Sequence, residues 1–98
     1  MSEQNASALQ GDELQRLYGK LEGWTLAGDH HLEKEYRFPN FLEALAFVNR
    51  LGEVAEREGH HPDIFLTWGR VKVTLWTHSA GGLTPKDFAL AAEADAVR

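Results

Sequence analysis

Between Asn40 and Gly59 the sequence carries both ends of a helix and an apolar face between them. Asn40 is placed to cap a first turn, with Glu43 three residues on in a capping-box arrangement. Phe41, Leu45, Val48 and Ala55, with Ala44, Phe47, Leu51 and Val54, form a broad apolar face through about Glu58. Gly59 stands where a left-handed residue closes a helix. So wide a face needs an apolar layer against it, and the sequence on both sides of the helix reads as strand.

On the N-terminal side, Trp24-Thr25-Leu26 and Leu32 to Phe38 flank Ala27-Gly28-Asp29-His30-His31, which predicts a hairpin with a loop of about five residues. Leu32, Lys34, Tyr36 and Phe38 share one face of its second strand, and His31, Glu33, Glu35 and Arg37 take the other, solvated one. Pro39 ends that strand because a proline cannot donate to the ladder. On the C-terminal side, Ile64 to Trp68 and Val71 to His78 predict a second hairpin, with Gly69-Arg70 as a two-residue type II′ turn. Val71, Val73, Leu75 and Thr77 point one way, and Lys72, Thr74, Trp76 and His78 the other.

Two further helices complete the reading. Leu14, Leu17, Tyr18 and Leu21 fall at helical spacing from Asp12, with Gly23 as a stop. Thr84 opens a last helix, with Pro85 at its first position and Asp87 at its third. The order is α-β-β-α-β-β-α, an α+β two-layer sandwich in which a four-stranded antiparallel sheet carries the helices on one face. Residues 11–98 make a single domain, and residues 1 to about 10, polar and aperiodic, read as a flexible end.

Composition narrows the chemistry. With 98 residues, the chain holds one core. It has no cysteine, which removes disulfides, thiolate nucleophiles and Cys-ligated zinc. A net charge of −5 with scattered lysines and arginines argues against nucleic acid as the main ligand. No apolar run is long enough to span a membrane and the start is not that of a signal peptide, so the expected setting is cytoplasmic, without membrane contact. Five histidines remain, four of them as two His-His pairs, and histidine is the side chain best suited to move protons near neutrality.

The strongest cluster is Glu56-Arg57-Glu58-Gly59-His60-His61-Pro62: a helix ends, glycine turns the chain, and two imidazoles follow. In an irregular segment neighbouring side chains need not diverge, so both rings can serve one pocket, or both can be exposed loop histidines. His78 lies just before a Gly-rich loop and a helix start, where sites form from loops on a rigid scaffold. If the hairpins join one sheet, it approaches His60 and His61; its bland alternative is a backbone-bonded strand end. Asp87 can orient a histidine, although helix capping alone explains it. Trp24 and Trp76 can stack on a planar ligand or belong to the core, and His30 and His31 read as solvated turn residues. Three histidines can also hold zinc, but acid–base work needs no metal.

The stretch from Glu56 to Asp87 closely resembles the pterin-4a-carbinolamine dehydratase family. The resemblance is carried by Glu56, His60-His61-Pro62, Val71-Lys72-Val73-Thr74-Leu75, Thr77-His78 sixteen residues past Pro62, Gly82-Leu83-Thr84 and Asp87. Gly23-Trp24, the strand ending at Phe38 and the Asn40-Phe41 helix start are also similar. It implies a dehydratase that converts a 4a-hydroxytetrahydropterin to quinonoid dihydropterin without metal or cofactor. It further implies a functional link to an aromatic amino-acid hydroxylase and a homodimer or homotetramer. By this resemblance His60 and His78 are the acid–base pair and His61 mainly holds the pterin. Pro62, Thr77, Ser79 and Ala80 supply pocket wall and backbone hydrogen bonds, Trp24 flanks the ring, and Glu56 and Asp87 stand behind the histidines. Animal members also assist dimerisation of a transcription factor, which makes a non-enzymatic binding module the alternative. The chain departs from the family at Asp63-Ile64-Phe65-Leu66-Thr67-Trp68 and at Ser79-Ala80-Gly81, which bears on substrate preference.

Overall fold

The computed structural model of the chain describes residues 7–98, so the flexible end expected over residues 1 to about 10 lies mostly outside the described residues. At Leu9 the chain is already tied in, its N–H donating to the Leu83 carbonyl at 2.7 Å. The elements are α1 (Gly11–Tyr18), β1 (Thr25–Ala27), β2 (His31–Arg37), α2 (Phe41–Glu58), β3 (Asp63–Thr67), β4 (Arg70–Leu75), a short 3-10 turn over His78–Ala80 and α3 (Pro85–Val97). The strands form one antiparallel sheet in the order β1-β2-β4-β3, the α-β-β-α-β-β-α sandwich expected from the pattern.

The helix that organises the sequence forms as its ends dictate. Asn40 Oδ1 accepts the Glu43 N–H at 2.8 Å, and Gly59 closes α2 with φ +67°. Its buried stripe is narrower than expected: Ala44, Phe47, Leu51, Val54 and Ala55 are buried, whereas Phe41 is 44% exposed and Leu45 and Val48 are half-buried. A helix lying on a sheet covers only the stripe that faces it, and those three positions fall on its shoulder. Strand alternation supplies the other side of the core. Leu32 pairs with Leu75, Tyr36 with Val71, and all four are buried with Val73 on the helix-facing surface.

Four boundaries differ from the sequence reading. Helix α1 ends at Tyr18, not near Gly23. The N–H groups of Lys20 and Leu21 reach back only three residues, to Leu17 and Tyr18, and tighten the chain out of the helix. Gly23, at φ +80°, instead turns the chain into β1. The first hairpin loop has three residues rather than five, because Gly28 and Asp29 both take positive φ and His30 N–H bonds the Ala27 carbonyl at 2.9 Å, a type I′ turn. In the second hairpin Thr67 pairs with Arg70, so the turn residues are Trp68 and Gly69 and not Gly69-Arg70. Gly69 is required there by close approach: a Cβ would stand 2.7 Å from the Phe38 carbonyl oxygen. Last, β4 stops at Leu75 because Thr77 folds back onto Gly82 in an isolated bridge, and His78 opens a turn instead of ending a strand.

One polar group sits at the edge of the core by design of its partners. Asp95 on α3 accepts hydrogen bonds from Lys34 Nζ at 2.8 Å, Tyr36 OH at 2.5 Å and Trp24 Nε1 at 3.1 Å. Burial pushes the Asp95 carboxyl up, but those three donors and the Lys34 charge outweigh it and hold the group below its ordinary 3.8. Burial, then the Asp95 hydrogen bond and charge, push the Tyr36 phenol well above its ordinary range, so it stays a donor. A carboxylate with a depressed folded value stabilises above its unfolded value and loses that contribution as pH falls through the folded one. Asp95→Asn is therefore expected to lower the urea-unfolding free energy by about 1–3 kcal/mol at pH 7. The difference from wild type should shrink on acidification below 3.8; a pH-independent difference would remove the charge from the account.

Candidate functional site

The end of α2 sets the first histidine. Gly59 N–H bonds the Glu56 carbonyl and His60 N–H bonds the Ala55 carbonyl, each at 3.2 Å, the paired bonds of a Schellman closure with glycine left-handed. The backbone of His60 is thereby fixed to the helix, and Pro62 stiffens the exit into β3. The second contribution comes from the segment after β4, where the Thr77–Gly82 bridge and the 3-10 turn present Thr77, His78 and Ser79. The third is the first turn of α3.

These three pieces meet at Asp87, which is completely buried. Its Oδ2 accepts the Thr84 N–H at 3.0 Å and the Thr77 hydroxyl at 2.7 Å, and its Oδ1 pairs with His60 Nε2 at 2.5 Å. An ionised carboxylate only accepts, so His60 carries its proton on Nε2. Thr77 gives its own proton to Asp87, hence the Thr84 hydroxyl donates to Thr77 Oγ1 across 2.8 Å. Every hydrogen-bonding atom around the carboxylate has a partner, and helix capping and histidine orientation are served by the same two oxygens. His61 takes a different environment: exposed, with Nε2 at 2.9 Å from Glu56 Oε1.

His60, His61 and Pro62 line one cavity of about 500 Å³ together with Trp76, Thr77, His78, Ser79 and Lys86. The three histidines singled out in the sequence are thus brought together, with Pro62, Thr77 and Ser79 beside them and Glu56 and Asp87 each bonded to one imidazole. A larger groove of about 810 Å³ runs along α2 and β3 past Val48, Gly52, Glu53, Glu56, Arg57 and Ile64, and its lining includes no imidazole. Two expected residues stand outside the site. Trp24 is only 4% exposed, with its indole N–H on Asp95, two turns of α3 or about 12 Å beyond Asp87, so it belongs to the core and does not line this cavity. Ala80 is half-buried, its N–H held by the Thr77 carbonyl at 3.1 Å.

The structure also adds residues. Lys86 and Asp63 line the cavity, and their positions next to Asp87 and Pro62 were the available signal. His30 is not a solvated turn residue: its ring packs on Trp76 at a centroid distance of 4.4 Å, and Trp76 stacks on His78 at 3.8 Å. Among the described residues, no three or more histidine, aspartate or glutamate side chains converge to hold a metal ion. No helix among them is long and apolar enough to cross a membrane.

Comparison with known proteins bears on the family and the fold. The family model described as pterin 4 alpha carbinolamine dehydratase matches residues 7–97. A protein of Rubrobacter xylanophilus, provisionally named as a pterin-4-alpha-carbinolamine dehydratase, is 53% identical over 87 residues, which is 89% of this chain and 81% of that one. Among solved structures, the chain is similar to a transcriptional coactivator/pterin dehydratase from Brucella melitensis. That match has a TM-score of 0.87 and 32% identity, and covers 93% of this chain and 98% of the other. It is also similar to a pterin dehydratase-like protein identified as a RuBisCO assembly factor in the alpha-carboxysome, with a TM-score of 0.66, 26% identity and coverage of 78% and 89%.

Proposed function

Because the chain belongs to the pterin 4 alpha carbinolamine dehydratase family, we propose that it removes water from a 4a-hydroxytetrahydropterin to leave the quinonoid dihydropterin. The observation that carries this reading is His60, fixed by a fully buried carboxylate at the wall of a cavity that also holds His78. In the reaction the C4a–O bond breaks as the oxygen receives a proton and departs as water. The N5–H proton is lost, and its electron pair forms the N5–C4a double bond. With its proton on Nε2, His60 presents Nδ1 as the base for N5–H, and a protonated His78 supplies the leaving oxygen. His61, held by Glu56, binds the pterin. The different partners of the three rings, Asp87 for His60, Glu56 for His61 and Trp76 for His78, support this division.

The test is stopped-flow decay of 4a-hydroxytetrahydrobiopterin with and without the protein. Acceleration well above buffer, saturating with substrate, is the expected result; decay at the buffer rate would overturn the reading. The reading extends to a cytoplasmic setting and to a hydroxylase of aromatic amino acids as the source of the substrate.

A second reading, a protein-binding module, is favoured by one observation. Phe65 on β3 and Trp68 in the turn that follows it are 59% and 68% exposed, and among the described residues β3 pairs only with β4 and so leaves its outer backbone groups open to another chain. A homodimer or homotetramer closed there is compatible with turnover. Light scattering on the same preparation gives the mass, and turnover decides between enzyme and module.

A further inference from the structure

Trp76 and the β1–β2 turn were not needed for the proton transfers above, yet they converge on one of the histidines that perform them. His78 opens a 3-10 turn, is exposed, and among the described residues has no side-chain hydrogen bond to fix its ring. An imidazole so placed is free to change rotamer. What meets it is the Trp76 indole, with ring centroids 3.8 Å apart and planes within 21°, an aromatic stack that contributes beyond its buried area. Trp76 in turn carries the His30 ring at 4.4 Å, tilted by 46°.

His30 is itself held in place. The type I′ turn, with positive φ at Gly28 and Asp29, fixes its backbone against Ala27. Its Nδ1 lies 3.1 Å from His31 Nδ1, and His31 Nε2 lies 2.9 Å from Glu33 Oε2. With the Glu33 carboxylate accepting from His31 Nε2–H, a neutral His31 has Nδ1 as an acceptor and His30 donates to it. The chain of contacts therefore runs from Glu33 through His31, His30 and Trp76 to His78. It starts on the solvated face of the sheet and ends in the cavity.

We infer that Trp76 is a positioning residue for His78 and that His30 braces Trp76 from the first hairpin, making that turn part of the site's support. The inference rests on the reading of His78 as a proton donor only for its kinetic consequence, because the ring arrangement is open to direct measurement. In solution, the stacked indole places the His78 ring protons in its ring current. Trp76→Leu should therefore shift the His78 imidazole resonances, with a smaller shift in the same direction for His30→Ala.

In stopped-flow decay of 4a-hydroxytetrahydrobiopterin, Trp76→Leu should lower kcat roughly tenfold or more, since misplacing a reacting group by about 1 Å is costly, while KM stays near wild type. Trp76→Phe, which keeps an aromatic face, should restore most of kcat. Unchanged His78 resonances in Trp76→Leu overturn the inference. So does a loss of kcat that Trp76→Phe fails to restore while the domain stays folded. If wild type gives no turnover, the dehydratase reading fails, and the resonance shifts alone decide the stack.

Discussion

His60→Ala and His78→Ala, each compared with wild type in stopped-flow decay of 4a-hydroxytetrahydrobiopterin, are expected to lower the rate constant roughly 10²–10⁴-fold. The loss should appear in kcat more than in KM, because in the proposed mechanism each ring acts on a proton in flight and His61 is the main pterin contact. The double variant should lose less than the product of the single losses, since a base without its acid partner retains little to lose. His61→Ala, whose ring is exposed and paired with Glu56, should raise KM instead. If His60→Ala and His78→Ala both turned over like wild type, proton transfer would have to be reassigned away from them.

The second large effect is expected at Asp87, which is completely buried behind His60. Asp87→Asn keeps the side chain's size but replaces one accepting oxygen with an N–H₂ group. If that amide faces Nε2 of His60, the imidazole can stay bonded only by moving its proton to Nδ1, which removes the lone pair assigned to N5–H. The alternative rotamer sets the amide against the Thr77 hydroxyl and Thr84 N–H, two donors at 2.7 and 3.0 Å. Either arrangement costs, and turnover should fall by about 10²–10⁴-fold, as expected when a base is held in the wrong tautomer. The unfolding free energy should also fall by about 1–3 kcal/mol, through the weakened cap and the unsatisfied buried group. Circular dichroism and a urea titration separate the two effects: a folded Asp87→Asn with wild-type turnover would show that the His60 pair is structural only.

Much of this was legible in one dimension because the signals are local. The capped apolar helix, the period-2 strands and the Thr84-Pro85-Asp87 helix start each depend on residues within a few positions of one another. The cluster at His60 and His61 was legible for the same reason, as a glycine-closed helix end. What escaped the sequence depends on how segments meet. The turn at Trp68-Gly69 is displaced by one residue from the expected Gly69-Arg70 because Gly69 answers to the carbonyl of Phe38, some thirty residues earlier. Trp24 goes to the core because Asp95, near the end of α3, takes its indole N–H. His30 reaches Trp76 only once β2 is laid against β4, and no spacing within either strand announces that contact. Asp87 was legible as a cap; that its second oxygen would hold His60 was an alternative which the packing of α3 against the end of α2 turned into geometry.

The strand order also has a kinetic consequence. The central seam of the sheet joins residues 32–37 of β2 to residues 70–75 of β4, segments separated by the whole of α2 and β3. Both hairpins and α2 can form from near neighbours, but the seam closes only after a long loop has paid its entropy, and such non-local pairings set the pace of folding. His30, Trp76 and Asp87 come from segments that meet across or beyond that seam. In a refolding experiment, helical signal should therefore return before turnover does, and the recovery of activity times the closure of the sheet.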